Sequence, residues 1–494
     1  MAVSRRSFRG TAKGGLPYAA NMDTATPIAD VHDSAALERA HALFVQRRDA
    51  DALPHARAAV QALPRRADAW TLLGIVQQRL GQSRAAEQAY RAALRVAPDY
   101  ADAWTNLGNL LRDRHDMHGA LQAFRHAMRC APHSPEPSYN LGVALEHFGL
   151  WDGALCAFQA AAECDPQHAD ARWNSALALL RAGRFEEGFR DYERRFRRNE
   201  PAPRTYAQAL WDGRPLEGRT ILVWAEQGFG DALQFLRFVP EVARRGGRVL
   251  LEVHDGLQRL AARVPGVAAV VSAGHPPMSF DTHIALMSLP HVLGLAPVPA
   301  SAPYLRAGDT LAWQWRDRLR ASGHRPGREL AVGLVWASNP GLRNSRERSP
   351  GFAVVRRLLD TRGTRFFSLQ KGAGCADLAG ASLPQNFVDL DREIAHFDDT
   401  AAIIANLDVV VTCDTAVAHL AGALGKPTFV LLPHSPDWRY GLDPHASIWY
   451  SSMRLFRQEA RGDWAGVLAR VANALEEAVA SLPLPSQPLA ATHA

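Results

Sequence analysis

The chain has 494 residues, 47% of them hydrophobic and 21% charged, with a formal net charge of +6. That length and composition suit two or three globular domains, each with its own core. The positive charge is scattered arginine with no basic run interleaved with aromatics, which argues against nucleic acid as a partner, and no apolar run approaches the roughly 18 residues of a membrane span.

In chain order, residues 1–21 are Gly-, Arg- and Ser-rich and lack the apolar core of a secretion signal; residues 1–32 read as a disordered extension, with the natural start expected at or just after Met22. A periodic pattern follows. Pro64, Pro98, Pro132 and Pro166 are spaced at a constant 34 residues. Trp70, Leu73, Gly74, Ala86, Tyr90 and Ala93 lie in phase with Trp104, Leu107, Gly108, Ala120, Phe124 and Ala127, and with Leu141, Gly142, Ala154, Phe158 and Ala161. Small residues let paired helices approach, aromatics interlock between them, and proline ends the second helix of each pair. This is the tetratricopeptide pattern. It predicts an α-solenoid of about four to five units over residues 33–200, closing on a long charged helix at 183–198. Such arrays take a peptide or protein surface in their concave groove, although the consensus residues do not name the partner. The five cysteines (Cys130, Cys156, Cys164, Cys375 and Cys413) show no C-x-x-C spacing and read as free thiols of a reducing, cytoplasmic compartment.

From about residue 205 the period changes. TILVW (220–224), RVLLEV (248–253), AAVVS (268–272) and THIALM (282–287) read as strands. A Trp-rich helix at 311–321 separates them from LAVGLVW (330–336), RFFSL (365–369), NFVDL (386–390), LDVVVTC (407–413) and PTFVLL (427–432). Strands alternating with helices predict two Rossmann-like halves, residues 205–310 and 328–480, with ligands at the carboxyl ends of the strands. Residues 482–494 read as a disordered tail.

Three strand-to-helix junctions concentrate the polar chemistry. In the first, Gly228 and Gly230 make a tight turn before Asp231, which locally reads either as a helix cap or as a reactive carboxylate. In the second, Ser338 and Asn339 stand at a strand tip, and Arg343, Arg346 and Arg348 crowd the following loop, as guanidinium forks do around phosphate. In the third, Asp414, Thr415 and Ala416 open a small-residue helix whose free amides suit an anion. His419 lies one turn inside it, where a packed histidine is equally expected. Only three lysines occur, and two of them, Lys371 (beside Gln370) and Lys426, follow strands in this region.

Residues 205–475 resemble the glycosyltransferase module of bacterial TPR–glycosyltransferases. They are similar to the heptosyltransferases and, more distantly, to TPR-bearing O-GlcNAc transferases. EQGFGDALQF (226–235), GLVWASNP (333–340), SLQKG (368–372), DTAVAHLAGALGKP (414–427) and DWRYGL with WYSSMRLFRQ (437–458) carry the likeness. The resemblance implies a GT-B fold, a nucleotide-sugar donor, no metal or other cofactor, and inversion at the sugar. It casts Asp231 as catalytic base. Ser338, Asn339, Arg346, Arg348, Gln370, Lys371, Asp414, Thr415, Ala416, His419, Trp438 and Arg439 become donor-binding residues, with Asp414 on the sugar. Two departures stand out. The acceptor half is short, and Asn344-Ser345-Arg346-Glu347-Arg348-Ser349 lacks the aspartate usual in that loop. The short half implies that the repeats supply the acceptor surface. The expected function is sugar transfer to a protein acceptor; a scaffold with a degenerate module and a lipopolysaccharide heptosyltransferase are the alternatives.

Overall fold

A computed structural model describes residues 34–198, 204–273, 279–295, 303–342 and 344–482. The N-terminal extension, Arg343 and the residues after 482 lie outside this set. The expected order of elements is present: a helical repeat region, then parallel-sheet α/β structure.

The chain divides into two compact units at Arg114/His115, inside the repeat array. In the first unit, helices Ala35–Val45, Asp49–Ala62, Ala67–Arg79, Ser83–Val96 and Ala101–Asp113 follow one another through short turns. The consensus positions work as the period predicts. A Cβ on Gly74 would stand 2.5 Å from the Tyr90 ring, so only glycine admits that helix crossing. The indoles of Trp70 and Trp104 donate to the carbonyls of Pro64 and Pro98 at 3.0 and 2.8 Å, which ties each helix start to the proline turn before it.

In the second unit, helices Met117–Cys130, Pro135–His147, Trp151–Cys164 and Ala169–Arg181 continue the pattern, with Gly142 against Phe158 as Gly74 is against Tyr90. The closing segment departs from expectation. It is an eight-residue helix, Phe185–Tyr192, followed by a 3-10 turn at Glu193–Arg198. The tighter turn carries Arg195 inward, where its side chain is fully buried. Phe185, Phe189 and Tyr192 pack against Phe235, Trp438 and Trp449, which explains why these repeats group with the α/β region.

The first sheet contains β1 (Ala209–Leu210), β2 (Thr220–Trp224), β3 (Arg248–Val253), β4 (Val267–Ser272) and β5 (Thr282–Ala285), in the order β1-β5-β2-β3-β4. The second contains β6 (Leu330–Val335), β7 (Thr364–Ser368), β8 (Phe387–Asp389), β9 (Val409–Cys413), β10 (Thr428–Leu432) and β11 (Met453–Arg457), in the order β11-β10-β9-β6-β7-β8. All pairings between these strands are parallel. The second order, read from its first strand, is the doubly wound 3-2-1-4-5-6, whose ligand crevice opens where the winding reverses. Here that point lies between β6 and β9. In the first sheet it lies between β2 and β5.

Candidate active site

The tip of β2 carries the first junction. Helix Phe229–Phe235 begins there with Gly228 as N-cap, and the Gly228 amide donates to Asp231 Oδ2 at 2.8 Å. Asp231 thus acts as a cap from within the first turn, and its second oxygen, Oδ1, pairs with Arg439 from the loop after β10. Arg439 also holds Asp437 at 2.8 Å and lies over the Trp438 ring. A single guanidinium therefore joins the winding point of one sheet to the loops of the other, across 208 positions of sequence. Gly230 completes this approach: a Cβ there would meet His419 Cδ2 at 3.0 Å.

The tip of β9 carries the third junction. Thr415 caps helix Ala416–Ala423 with extended backbone, its hydroxyl 3.0 Å from that of Thr412, and the first amides of the helix have no partner within it. Buried Asp414 accepts from the Tyr440 hydroxyl at 2.9 Å and pairs with Arg348, which also donates to the Asp414 carbonyl at 2.9 Å. Burial pushes the Asp414 carboxyl up against the pull of Arg348, whereas Arg439 holds Asp437 below its usual range.

His419 is buried, with Nδ1 3.2 Å from the Tyr450 hydroxyl. Tyr450 in turn lies 3.4 Å from the Tyr304 hydroxyl, which donates to the Leu233 carbonyl at 2.8 Å, and the Cδ2–Nε2 edge of the imidazole faces Gly230. Burial, aided by nearby arginines, pushes the imidazole pKa down to about 3 from 6.5. Between those values the unfolded chain binds a proton that the folded chain refuses. Stability is therefore full above pH 6.5 and falls as the pH drops toward 3, by roughly 1.4 kcal/mol per unit. Urea unfolding at pH 7 and pH 5 should show the wild type losing about 2 kcal/mol more than His419→Gln. Equal losses would place this ring in water.

The remaining expected residues separate into free and spent groups. Arg346 is exposed and forms no ion pair with a described residue; Asn339 is exposed and only caps the Gly341 amide, at 2.9 Å. Ser338 shares a hydroxyl cluster with Ser345 and Ser349 at 3.1 and 3.0 Å. Lys371 projects at the β7 tip but is held by Asp391 Oδ1 at 2.7 Å. Two expectations need correction. Gln370 is buried, accepts from the amides of Trp336 and Ala337, and donates to the carbonyls of Ala337 and Lys371. Its amide is saturated, so it staples the loops after β6 and β7 and has nothing left for a donor. Trp438 is 3% exposed within the aromatic cluster of Phe189, Tyr192 and Trp449, so it supports Arg439 from behind and does not line a pocket. Sequence reasoning missed Tyr440 and Tyr450, although both sit inside the DWRYGL and WYSSM blocks. It also missed Glu226, in the quoted EQGFGD segment. Among the described residues, no group of three or more His, Cys, Asp or Glu side chains is placed to hold a metal ion, and no helix is long and apolar enough to cross a membrane.

With this geometry in place, the comparisons define the class. Residues 71–135 and 139–203 match the tetratricopeptide repeat model, and residues 349–446 match glycosyltransferase family 9 (heptosyltransferase). The chain is thus a repeat protein bearing a glycosyltransferase-like domain. The matched segment takes in Lys371, Asp414, Thr415, His419 and Arg439 but not Asp231. Among curated proteins the chain is similar to protein FlbA of Caulobacter vibrioides, 28% identical over 340 residues, 61% of this chain. It spans only 54% of FlbA's length. Solved repeat proteins are similar to about a third of this chain. YrrB, described as a TPR protein with an unusual peptide-binding site, is 23% identical, with 34% of this chain and 89% of that one covered and a TM-score of 0.27. TTC0263 of Thermus thermophilus is 19% identical, with 33% and 90% covered and a TM-score of 0.30.

Proposed function

We propose that the protein transfers a sugar from a nucleotide-sugar donor to a hydroxyl of a protein acceptor recruited by the repeats, in the cytoplasm and without a metal. The observation that carries this reading is the meeting of the first sheet's winding point with the carboxyl-end loops of the second, Asp231 and Gly230 against Arg439 after β10 and His419 after β9. Asp231 takes the acceptor proton as the oxygen bonds to the anomeric carbon; the bond to the diphosphate breaks, and its electron pair leaves with the phosphate. A carboxylate has about four lone-pair sites, and Arg439 and the Gly228 amide occupy only two of them, so Asp231 keeps room to accept. The free amides at Thr415 and Ala416, together with Arg346, receive the diphosphate charge. His419, its imidazole held neutral by burial, brings no charge to that site, and its Nε2 edge faces the bound sugar or nucleoside.

The Asp231–Arg439 pair also favours a second reading, a binding scaffold whose crevice is held shut by that ion pair. Incubation with UDP-, GDP-, CMP- and ADP-linked sugars, with transfer and donor hydrolysis followed by mass spectrometry, decides between the two. Turnover of one donor is expected. Nucleotide binding without turnover of any donor would select the scaffold, and transfer to a lipopolysaccharide acceptor instead of protein would overturn the acceptor class.

A further inference from the structure

The loop that presents Asp231 is held from outside its own sheet. Glu226, at the tip of β2, is buried and bound by Arg195 through Nε at 3.1 Å and Nη2 at 2.7 Å. Arg195 is fully buried, and it also donates to Ser288 Oγ at 2.7 Å, Glu193 Oε1 at 2.6 Å and the Tyr192 carbonyl at 3.2 Å. Ser288 follows β5 and donates to Glu193 Oε2 at 2.9 Å, so one guanidinium binds together the tips of the two strands that flank the winding point. The next residue, Gln227, sits at φ +62°, a left-handed conformation that costs a non-glycine residue about 1 kcal/mol or more. Its side-chain amide is held by the Tyr192 hydroxyl, 3.0 Å from Nε2. Gly228 follows, and its amide caps Asp231. From Tyr192 to Asp231 the chain of contacts is continuous.

We propose that Tyr192 and Arg195, in the closing segment of the repeat array, are positioning residues that fix the Glu226–Gly228 turn and thereby aim the Asp231 carboxylate. This rests on the glycosyltransferase reading above for its kinetic consequence, but not for its structural one. The segment that ends the repeats is then part of the catalytic apparatus, and the strained Gln227 backbone is retained because two side chains from that segment over-determine it.

Tyr192→Phe removes one hydroxyl and keeps the ring against Phe189, Trp173 and Trp438. With the best donor of the panel, kcat should fall about tenfold while donor KM stays unchanged, as expected for misaim and not for lost binding. Amide exchange in the peptide spanning 225–233 should accelerate, with the thermal midpoint unmoved. Arg195→Lys keeps the charge but loses the fork and should show the same split. Wild-type kcat and exchange in Tyr192→Phe would overturn the proposal, as would a lowered midpoint with wild-type kcat per folded molecule. If the wild type turns over no donor, the functional reading fails separately, and amide exchange at 225–233 still decides whether Tyr192 holds the loop.

Discussion

Replacing Asp231 by asparagine is expected to reduce sugar transfer by about a hundredfold or more, the scale of a lost general base. Asparagine retains an oxygen for the Gly228 amide, so the helix cap at 2.8 Å survives and the fold is kept. The asparagine NH2 then faces Arg439, donor against donor, so that ion pair is lost together with the proton acceptor, and Arg439 keeps Asp437. Donor affinity measured by calorimetry should match the wild type, because the proposed diphosphate contacts lie on the β6 and β9 tips of the other sheet. Near-normal transfer by Asp231→Asn would remove Asp231 as the base and move the chemistry elsewhere in the crevice.

Arg439→Ala is expected to have the largest effect on stability. The guanidinium is 10% exposed and faces two carboxylates, Asp231 and Asp437. Its removal takes the paired cation from two partly exposed carboxylates, 20% and 32% exposed, and leaves Asp437 only the more distant Arg348, which costs about 2 kcal/mol, between the exposed and buried limits. It also strips the cation from the Trp438 face, 4.4 Å from the ring centroid. Arg439→Lys should recover part of the loss, since an ammonium satisfies one carboxylate but cannot bridge both in a fixed plane. Urea unfolding followed by tryptophan fluorescence measures both variants. A loss under about 1 kcal/mol for Arg439→Ala would show that solvent already screens the pair.

These two residues also show where sequence reasoning stops. Asp231 stood out because a Gly-x-Gly turn after an apolar run marks a strand tip, and β2 falls at the expected 220–224. Arg439 was expected at the donor, whereas its partner is a carboxylate 208 positions away; such pairing is set by tertiary packing and leaves no local trace. The same holds for Arg348 and Asp414, expected as separate donor contacts and found paired with each other. The core strands were legible because β6, β9 and β10 are nearly continuous apolar runs buried on both faces. β1 is two residues with both side chains exposed, too short to carry any pattern. β11 was visible only as part of a family-like block, because Arg454 and Arg457 interrupt its apolar positions. The closing helix was expected to run to residue 198, since charge and spacing remain helical there; the burial of Arg195 against Glu226 and Ser288 overrides that local preference.

The aromatic seam of Phe185, Phe189, Tyr192, Trp438 and Trp449 has a practical consequence for anyone exchanging parts of this chain. A chimera cut near residue 200, where the repeat pattern ends, severs rings that share one core and leaves two sticky fragments. The downstream repeats share one core with the α/β region, so they and that region have to be exchanged together.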